Sequence, residues 1–495
     1  MKKILTCLNK LTTNRSTGIP IFLLVMYGMF FFSVCFGGAF QPFFNLTSQA
    51  LFIELPLWLL NEFAAPDWLQ CIIVHGIGRG IKVTVTFIPI LTCMFLFLSF
   101  LENSGYIARA ALVMNNFMNY LGLPGKSFIP MIIGFGCNVP AVVSTRILQK
   151  RSERILTIMM LPFISCGSKL AIYAIFAAVF FPSSGQNIVF LLYLIGIMVA
   201  IFTGLILRPS RLKKKKFEIS LSLPVYRLPS FTIMYKNTLT QVKSFLFKAG
   251  SIIIPLCVVV GVLDHVKTST ASDDTVLAMI GKKITPVFAP MGIKQDNWPA
   301  VVGLMTGVIA KEVIIGTLTT LYEHEQKDNS QIKPTQDIIS DVSMFFSIKQ
   351  AAQSIPDKLT ELKNSFLHPF AMFSANKVVD SKVMGTMFLR FSSTTAAFSY
   401  LLFVLLYCPC LSVVVLIMRE LGLRWALFSI IWTTGLAYII AVAFYQAFTV
   451  GSILEAILWI AGLIVIFTGF TYLFKTAVYK KGFLDKERLI PVKVS

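Results

Sequence analysis

An all-α polytopic membrane protein, with about eight transmembrane helices and two inverted, broken gate segments, is the architecture this sequence predicts. Three observations carry that prediction. Apolar residues make up 56% of the 495 positions and charged residues only 14%, against roughly 25% charged in soluble domains. Apolar runs recur at the length of about 20 helical residues that a bilayer core demands. The 44 Lys and Arg, against 23 Asp and Glu, fall mainly between those runs.

In a soluble chain a net charge of +21 would suggest nucleic acid. Placed between apolar spans it suits loops facing an anionic leaflet, so membrane lipid is the expected partner and nucleic acid is excluded. The nine cysteines show no paired disulfide or zinc spacing, so no disulfide framework is expected. Basic residues precede the run starting near Ile19, but no small-residue cleavage site closes it, and it reads as a retained span.

The clear spans lie near 19–40, 80–101, 155–181, 187–207, 246–264, 392–418, 425–448 and 452–475, with 41–79 as a connecting loop. Lys2, Lys3, Lys10 and Arg15 precede the first span and no further Lys or Arg occurs before Arg79, which places the N-terminus in the cytoplasm. Lys150, Arg151 and Arg154, and then Arg208 to Lys216, return to that side. The resulting organisation is a short N-terminus (1–18), a first membrane half (19–207) with a gate near 122–147, and a basic cytoplasmic loop (208–245). A second gate region (246–322), a polar soluble loop (323–391), three last helices (392–478) and a basic cytoplasmic tail (479–495) follow.

The stretch 299–322 is read as re-entrant, because a full crossing would expel Arg419, Arg424 and the basic tail. A charged pair, Lys311 and Glu312, lies inside it, costly unless it faces a protein-lined or wet cavity. The stretch 122–147 is broken in the same way, and opposite approaches to the midplane would make the two an inverted pair. Met131 to Gly134 set against Leu304 to Gly307 gives a similarity too faint to establish a repeat.

Gly134, Gly136 and Pro140 around Cys137 and Asn138 make continuous helix unlikely and leave carbonyls free beside a thiol and an amide. Soft sulfur with amide and carbonyl oxygen is a donor mixture consistent with iron(II) or a neighbouring first-row metal. Gly134, Gly136, Pro140 and Gly307 are the expected gate hinges. Pro162 kinks the third span about one turn before Cys166, and Lys169 just beyond needs a partner, for which Glu102 or Glu312 is the candidate. Cys408 and Cys410 flank Pro409 in a third such place. The metal set read from these clusters is Cys137, Cys166 and Glu312. The wider path adds Glu102 at the cytoplasmic mouth, Asn138, Lys169, Lys311, Cys408 and Cys410. Gly122 to Ser127 imitates a phosphate loop, but its first glycine would fall at Tyr120 and no strand precedes it. No nucleotide-binding residues, catalytic residues or bound cofactor are expected, and the four histidines, at 75, 265, 324 and 368, build no enzyme site.

The stretches Leu101 to Ala110, Gly122 to Ser127, Gly134 to Pro140, Pro162 to Cys166, Leu223 to Arg227, Asn297-Trp298, Gly307 to Val313 and Tyr407 to Cys410 together resemble the FeoB ferrous iron transporters. The resemblance covers about 19–210, 224–322 and 395–480. It implies an eight-span region of a bacterial inner membrane, with both termini cytoplasmic, and Fe2+ as substrate. Family members carry a GTP-binding domain ahead of the membrane region; this chain begins about eighteen residues before its first span, so the expectation is that either a separate chain supplies that domain or transport runs without it. Candidate partners are such a chain, a small accessory protein and a second copy of this one. The sequence departs from the family at Asn103, Asn115 and Asn116 and at Ser168 to Ala171, two acidic positions having become amides, which leaves metal selectivity open. A nucleoside or organic-solute carrier and a non-transporting membrane partner are the alternatives.

Overall fold

The computed structural model describes residues 12–208, 230–322 and 381–449, apart from 13, 87, 183, 266, 270, 271, 310, 312, 319, 320 and 392, together with 462, 468 and 469. The expected last span at 452–475, apart from those three residues, most of the loop at 323–391, the basic run from 209 and the tail lie outside the described residues.

The first helix, α1 (Arg15–Gln49), continues through a π-helical stretch (Ala50–Glu54) into α2 (Leu55–Glu62). The segment read from sequence as a loop is therefore helical, and Phe40–Glu62 is itself long and apolar enough to cross a bilayer. Asn45, Thr47, Ser48, Gln49 and Glu54 dilute its hydropathy without bringing a helix breaker. Pro56 falls just after the π-helical stretch, in the first turn of α2. A second π-helical stretch (Cys71–Gly78) leads into α3 (Arg79–Thr86) and α4 (Ile88–Asn103). The long α11 (Phe231–His265) packs along that stretch and along α3 and α4, and α4 also packs on α1. Six described helices have the length and apolarity of a membrane span.

Between these lie the broken elements. After Tyr106–Val113 (α5), the chain turns at Gly122 and forms α6 (Phe128–Gly136), a one-residue break at Cys137, and α7 (Asn138–Ser144). Next come α8 (Arg151–Met160) and α9 (Gly167–Phe180), separated by a 3-10 turn (Leu161–Phe163); the stretch Arg151–Leu170 meets Ile172–Phe180 at a bend of 65°. The single span expected at 155–181 is thus two helices: Pro162 and the extended Ile164 and Cys166 stop one ladder before the next starts. A straight α10 (Gly185–Leu207) closes this half.

The second half opens after a small antiparallel hairpin, β1 (Lys267–Ser269) with β2 (Ser272–Thr275). It then repeats the plan: α12 (Val276–Phe288), a turn at Gly292, and α13 (Trp298–Thr306), ending in a turn at Gly307. Helices α14 (Thr394–Leu406) and α15 (Leu411–Leu421) form a second broken pair, and α16 (Leu423–Thr449) follows.

The two gates are copies of one plan. Tyr106 and Val276 begin α5 and α12; Gly122 and Gly292 take φ of 77° and 86°; Gly125 and Gln295 begin matching 3-10 turns; Phe128 and Trp298 begin nine-residue helices. Each pair is 170 residues apart. Positive φ is a conformation that glycine adopts without a Cβ clash, which is why glycine recurs at 122 and 292. The match read from sequence, Met131 against Leu304, is three residues out of this register: Met131 corresponds to Val301, and Cys137 to Gly307.

The core is apolar around α14, whose residues from Ala396 to Leu406 are all buried. A helix apolar on every face belongs at the centre of a bundle. Tyr400 in α14 stacks on Phe176 of α9, with centroids 5.2 Å apart, and donates a hydrogen bond to Ala300 O in α13 (3.1 Å).

Candidate functional site

Four helix interruptions meet in the buried interior: Cys137 in the first gate, 161–166 between α8 and α9, 307–311 in the second gate, and 407–410 between α14 and α15. A break exposes the last carbonyls of one helix and the first N–H groups of the next, and those groups need partners when buried.

In the first gate, Cys137 is extended (φ −152°, ψ 129°) although its own N–H still reaches Ile133 O (3.0 Å). The ladder stops there, and Asn138 restarts the helix. Asn138 is 6% exposed, and its amide lies among Gly134 O (3.3 Å) and Leu161 O (3.2 Å) on one side and Ile164 O (3.4 Å) on the other. Either way round, its nitrogen ties the first gate to the break between α8 and α9. Cys137 is half-buried against Met94 and Phe95 of α4 and Val242 of α11. Gly134 is buried within α6, Gly136 is its last residue and Pro140 lies in the first turn of α7, so the hinge candidates bracket the break at Cys137.

The second gate is held differently. Gly307, Val308 and Ile309 turn back onto Gly303 O, Met305 O and Thr306 O. The Val308 carbonyl accepts from the Leu411 N–H (2.9 Å), a backbone bond from one break to the other. The Tyr407 hydroxyl donates to Leu304 O (3.2 Å). A Cβ on Gly307 would collide with that hydroxyl and with the Ile314 side chain, so here glycine answers a close approach.

Both path lysines are buried, Lys169 2% and Lys311 3% exposed, and both are bonded to carbonyls at breaks. Lys169 Nζ donates to Pro162 O (2.9 Å) in the first half and to Leu405 O (2.7 Å) in the second. Both acceptors are helix-end carbonyls, whose partial negative charge favours a cation; of the counter-ions expected for Lys169, Glu312 lies outside the described residues. Lys311 Nζ donates to Cys408 O (2.7 Å) and lies 3.2 Å from the centroid of the Tyr407 ring. The two ammonium groups are within Coulombic reach of one another, and Lys311 also of the Cys166, Cys408 and Cys410 thiols. Cys166 and Cys410 each cap the helix that follows a break, and the Cys166 thiol lies 3.2 Å from the Ser168 hydroxyl.

The structure therefore brings Cys166, Lys169, Lys311, Cys408 and Cys410 together, with Asn138 at the adjoining break. Glu102 stands apart with an exposed side chain at the end of α4. Glu312 lies outside the described residues, and among the described residues no three His, Cys, Asp or Glu side chains form a metal-ligating group. One cluster escaped sequence reasoning. Glu420 at the end of α15, its side chain 6% exposed, bonds Arg146 beyond α7 (Nε 2.9 Å, Nη2 2.5 Å) and Arg154 in α8. Its sequence signal was three basic or acidic residues at the ends of apolar spans, which reads as ordinary interfacial charge.

Comparison with known proteins agrees with this layout. The family model described as "Gate: Nucleoside recognition" matches residues 84–180 and 246–424, more than half of the chain, and that for the "Ferrous iron transport protein B C terminus" matches 189–240. The chain is 46% identical over 446 residues to the Fe(2+) transporter FeoB of Legionella pneumophila strain Paris, covering 89% of this chain and 58% of that protein. It is 42% identical over 445 residues to the Fe(2+) transporter FeoB of Escherichia coli K12, covering 89% and 57%. The chain thus spans little more than half the length of these relatives. No solved structure matches. With both broken segments inside the matched residues, the chain belongs to the gate family and corresponds to the membrane region of FeoB.

Proposed function

We propose that this chain is the permease of a ferrous iron uptake system, in which Fe2+ crosses between the two gates. The observation that carries the reading is the convergence of four helix breaks, with thiols and freed carbonyls, in the middle of an apolar bundle. Irregular backbone at such depth is tolerated where it is buried in protein or lines a path, and sulfur beside carbonyl oxygen suits a late divalent ion better than an alkali ion. The names of the relatives, Fe(2+) transporter FeoB, support the same substrate.

In this reading Cys137, Cys166 and Glu312 provide metal contacts, with Asn138, Cys408 and Cys410 along the path and Glu102 at its cytoplasmic mouth. The chain resides in a bacterial inner membrane with both termini cytoplasmic, a reading supported by the basic residues before α1, after α10 and in the tail from Lys480.

The test is radiolabelled Fe2+ uptake into proteoliposomes under anaerobic reducing conditions, with the chain alone and with a FeoB-type GTP-binding chain, and with manganese, zinc and a nucleoside as competitors. Saturable uptake in either arm, lost in Cys137→Ser and Cys166→Ser that insert normally, is expected. No iron flux in either arm overturns the reading. Nucleoside flux in its place would establish the second reading, which the "nucleoside recognition" description of the matched gate model favours.

A further inference from the structure

We propose that Lys169 and Lys311 are tethered cations that occupy the meeting point of the four helix breaks, so that a passing cation must displace them and alkali cations are held out. The inference rests on the reading of this interior as a cation path.

Its basis is the way the two ammonium groups are held. A buried Lys in a membrane protein ordinarily pairs with a carboxylate or faces water. Among the described residues, Lys169 and Lys311 take carbonyls that the helix breaks release: Pro162 O and Leu405 O for Lys169, Cys408 O and the face of the Tyr407 ring for Lys311. Those carbonyls come from both halves of the repeat, so Lys169 clasps α14 to the break between α8 and α9. Aligning Cys166 with Cys410, each the cap of the helix after a break, makes Cys408 the counterpart of Ile164. Ile164 O lies beside the neutral amide of Asn138 in the first half, whereas Cys408 O faces the charged Lys311 in the second. One half of the plan is thus closed by an amide and the other by an ammonium group, and the remaining ammonium group spans the two.

Freed carbonyls that converge without a hydration shell attract cations, as in carbonyl-built ion filters. The N···O distances of 2.7 and 2.9 Å at Lys169 are the range in which a potassium or rubidium ion also meets carbonyl oxygen. An ammonium group is about the size of those ions, so it fills the position they would take and its charge repels them. The lysines therefore hold out alkali ions by occupying the oxygens those ions would use.

The experiment measures 86Rb+ influx into proteoliposomes bearing the full chain, the variants K169M, K311M and K311Q, and the charge-retaining K169R and K311R. Rb+ influx is read without iron, so its outcome is independent of whether iron is the substrate. Removing either charge is expected to raise Rb+ influx about tenfold or more, the equivalent of about 1.4 kcal/mol, while K169R and K311R stay at the background of the unaltered chain. K311Q separates charge from hydrogen bonding, because it keeps a donor for Cys408 O; it is expected to leak as K311M does. Size-exclusion profiles identify any variant that has lost its fold, and K311Q remains informative if K311M has. Background Rb+ influx in monodisperse K169M and K311Q would overturn the inference and leave the lysines as structural pins, whatever the iron measurement shows. A leak in K311M absent from K311Q would also overturn it, by showing that the hydrogen bond and not the charge closes the path.

Discussion

The two gates share one backbone plan and close their breaks by opposite means. In the first, a single extended residue, Cys137, interrupts the helix, and a side-chain amide on the next residue makes the join to the following broken helix. In the second, the turn at 307–309 makes the join with backbone, through Val308 O and the Leu411 N–H, and adds Tyr407 and Lys311. The difference teaches that the break is conserved in place while its fastening is free to vary. A break at an equivalent position satisfies the same orphan groups, and any donor of sufficient reach will do. It also divides the labour: the first gate can lose one amide and loosen, whereas the second is held by three separate contacts.

The largest test of that contrast lies at the equivalent positions Gly307 and Cys137. Gly307→Val would drive methyl groups into the Tyr407 hydroxyl and Ile314; overpacking of this kind costs about 1–3 kcal/mol or more. Cys137 already carries a side chain, so Cys137→Val is expected to stay within about 1 kcal/mol of the parent. Thermal melting of the detergent-solubilised chain compares them. Equal losses would mean that the two breaks are packed alike and would end the contrast.

A second test asks what joins the halves at the surface. Glu420 in the second half accepts from Arg146 and Arg154 in the first, with the Arg146 side chain 60% and the Arg154 side chain 11% exposed. The Arg146 arm is screened by water and contributes little, so the loss falls on Arg154. Glu420→Gln is expected to destabilise by about 1–3 kcal/mol, less than a fully buried pair would, and Arg146→Gln by under about 1 kcal/mol. If both variants melt alike, the network acts as one exposed cluster and does not pin α15 to α8.

Much of this was legible in the sequence, for identifiable reasons. The spans followed from apolar length, and the breaks from Gly and Pro placed among residues that would otherwise continue a helix, as at Cys137 and Pro162. The helix at 40–62 was missed because polar residues at 45–49 lower hydropathy without breaking the backbone. The repeat was set three residues out of register because its identity rests on backbone features, the left-handed glycines at 122 and 292 and the turns after them, and hardly on side chains. The carbonyl partners of Lys169 were not foreseen because a sequence shows carboxylates but not which carbonyls a bend will free. Glu420 was missed because its partners are 266 and 274 residues away.

A smaller effect is expected at Asn138, whose amide joins the first gate to the next break. Asn138→Ala removes the nitrogen that reaches Gly134 O and Leu161 O or Ile164 O and leaves buried carbonyls unpaired, at a cost of about 1–3 kcal/mol. Asn138→Asp keeps the shape but brings acceptors to acceptors, and is expected to melt below Asn138→Ala. The reverse order would show that the amide oxygen, and not its nitrogen, makes the join.

The smallest effect distinguishes the contacts of the second gate from one another. Tyr407→Phe deletes the hydroxyl that donates to Leu304 O but leaves the ring under Lys311 and the Val308–Leu411 backbone bond in place. One neutral hydrogen bond is worth about 0.5–1.5 kcal/mol, and the space left beside Gly307 relieves its crowding, so the net loss is expected at the lower end. The same relief gives the prediction its sharper form. With the hydroxyl gone, Gly307→Ala has only Ile314 to displace, so the double variant is expected to melt above the sum of the single losses. Additive losses would place the crowding on Ile314 alone and remove Tyr407 from the reason that glycine stands at 307.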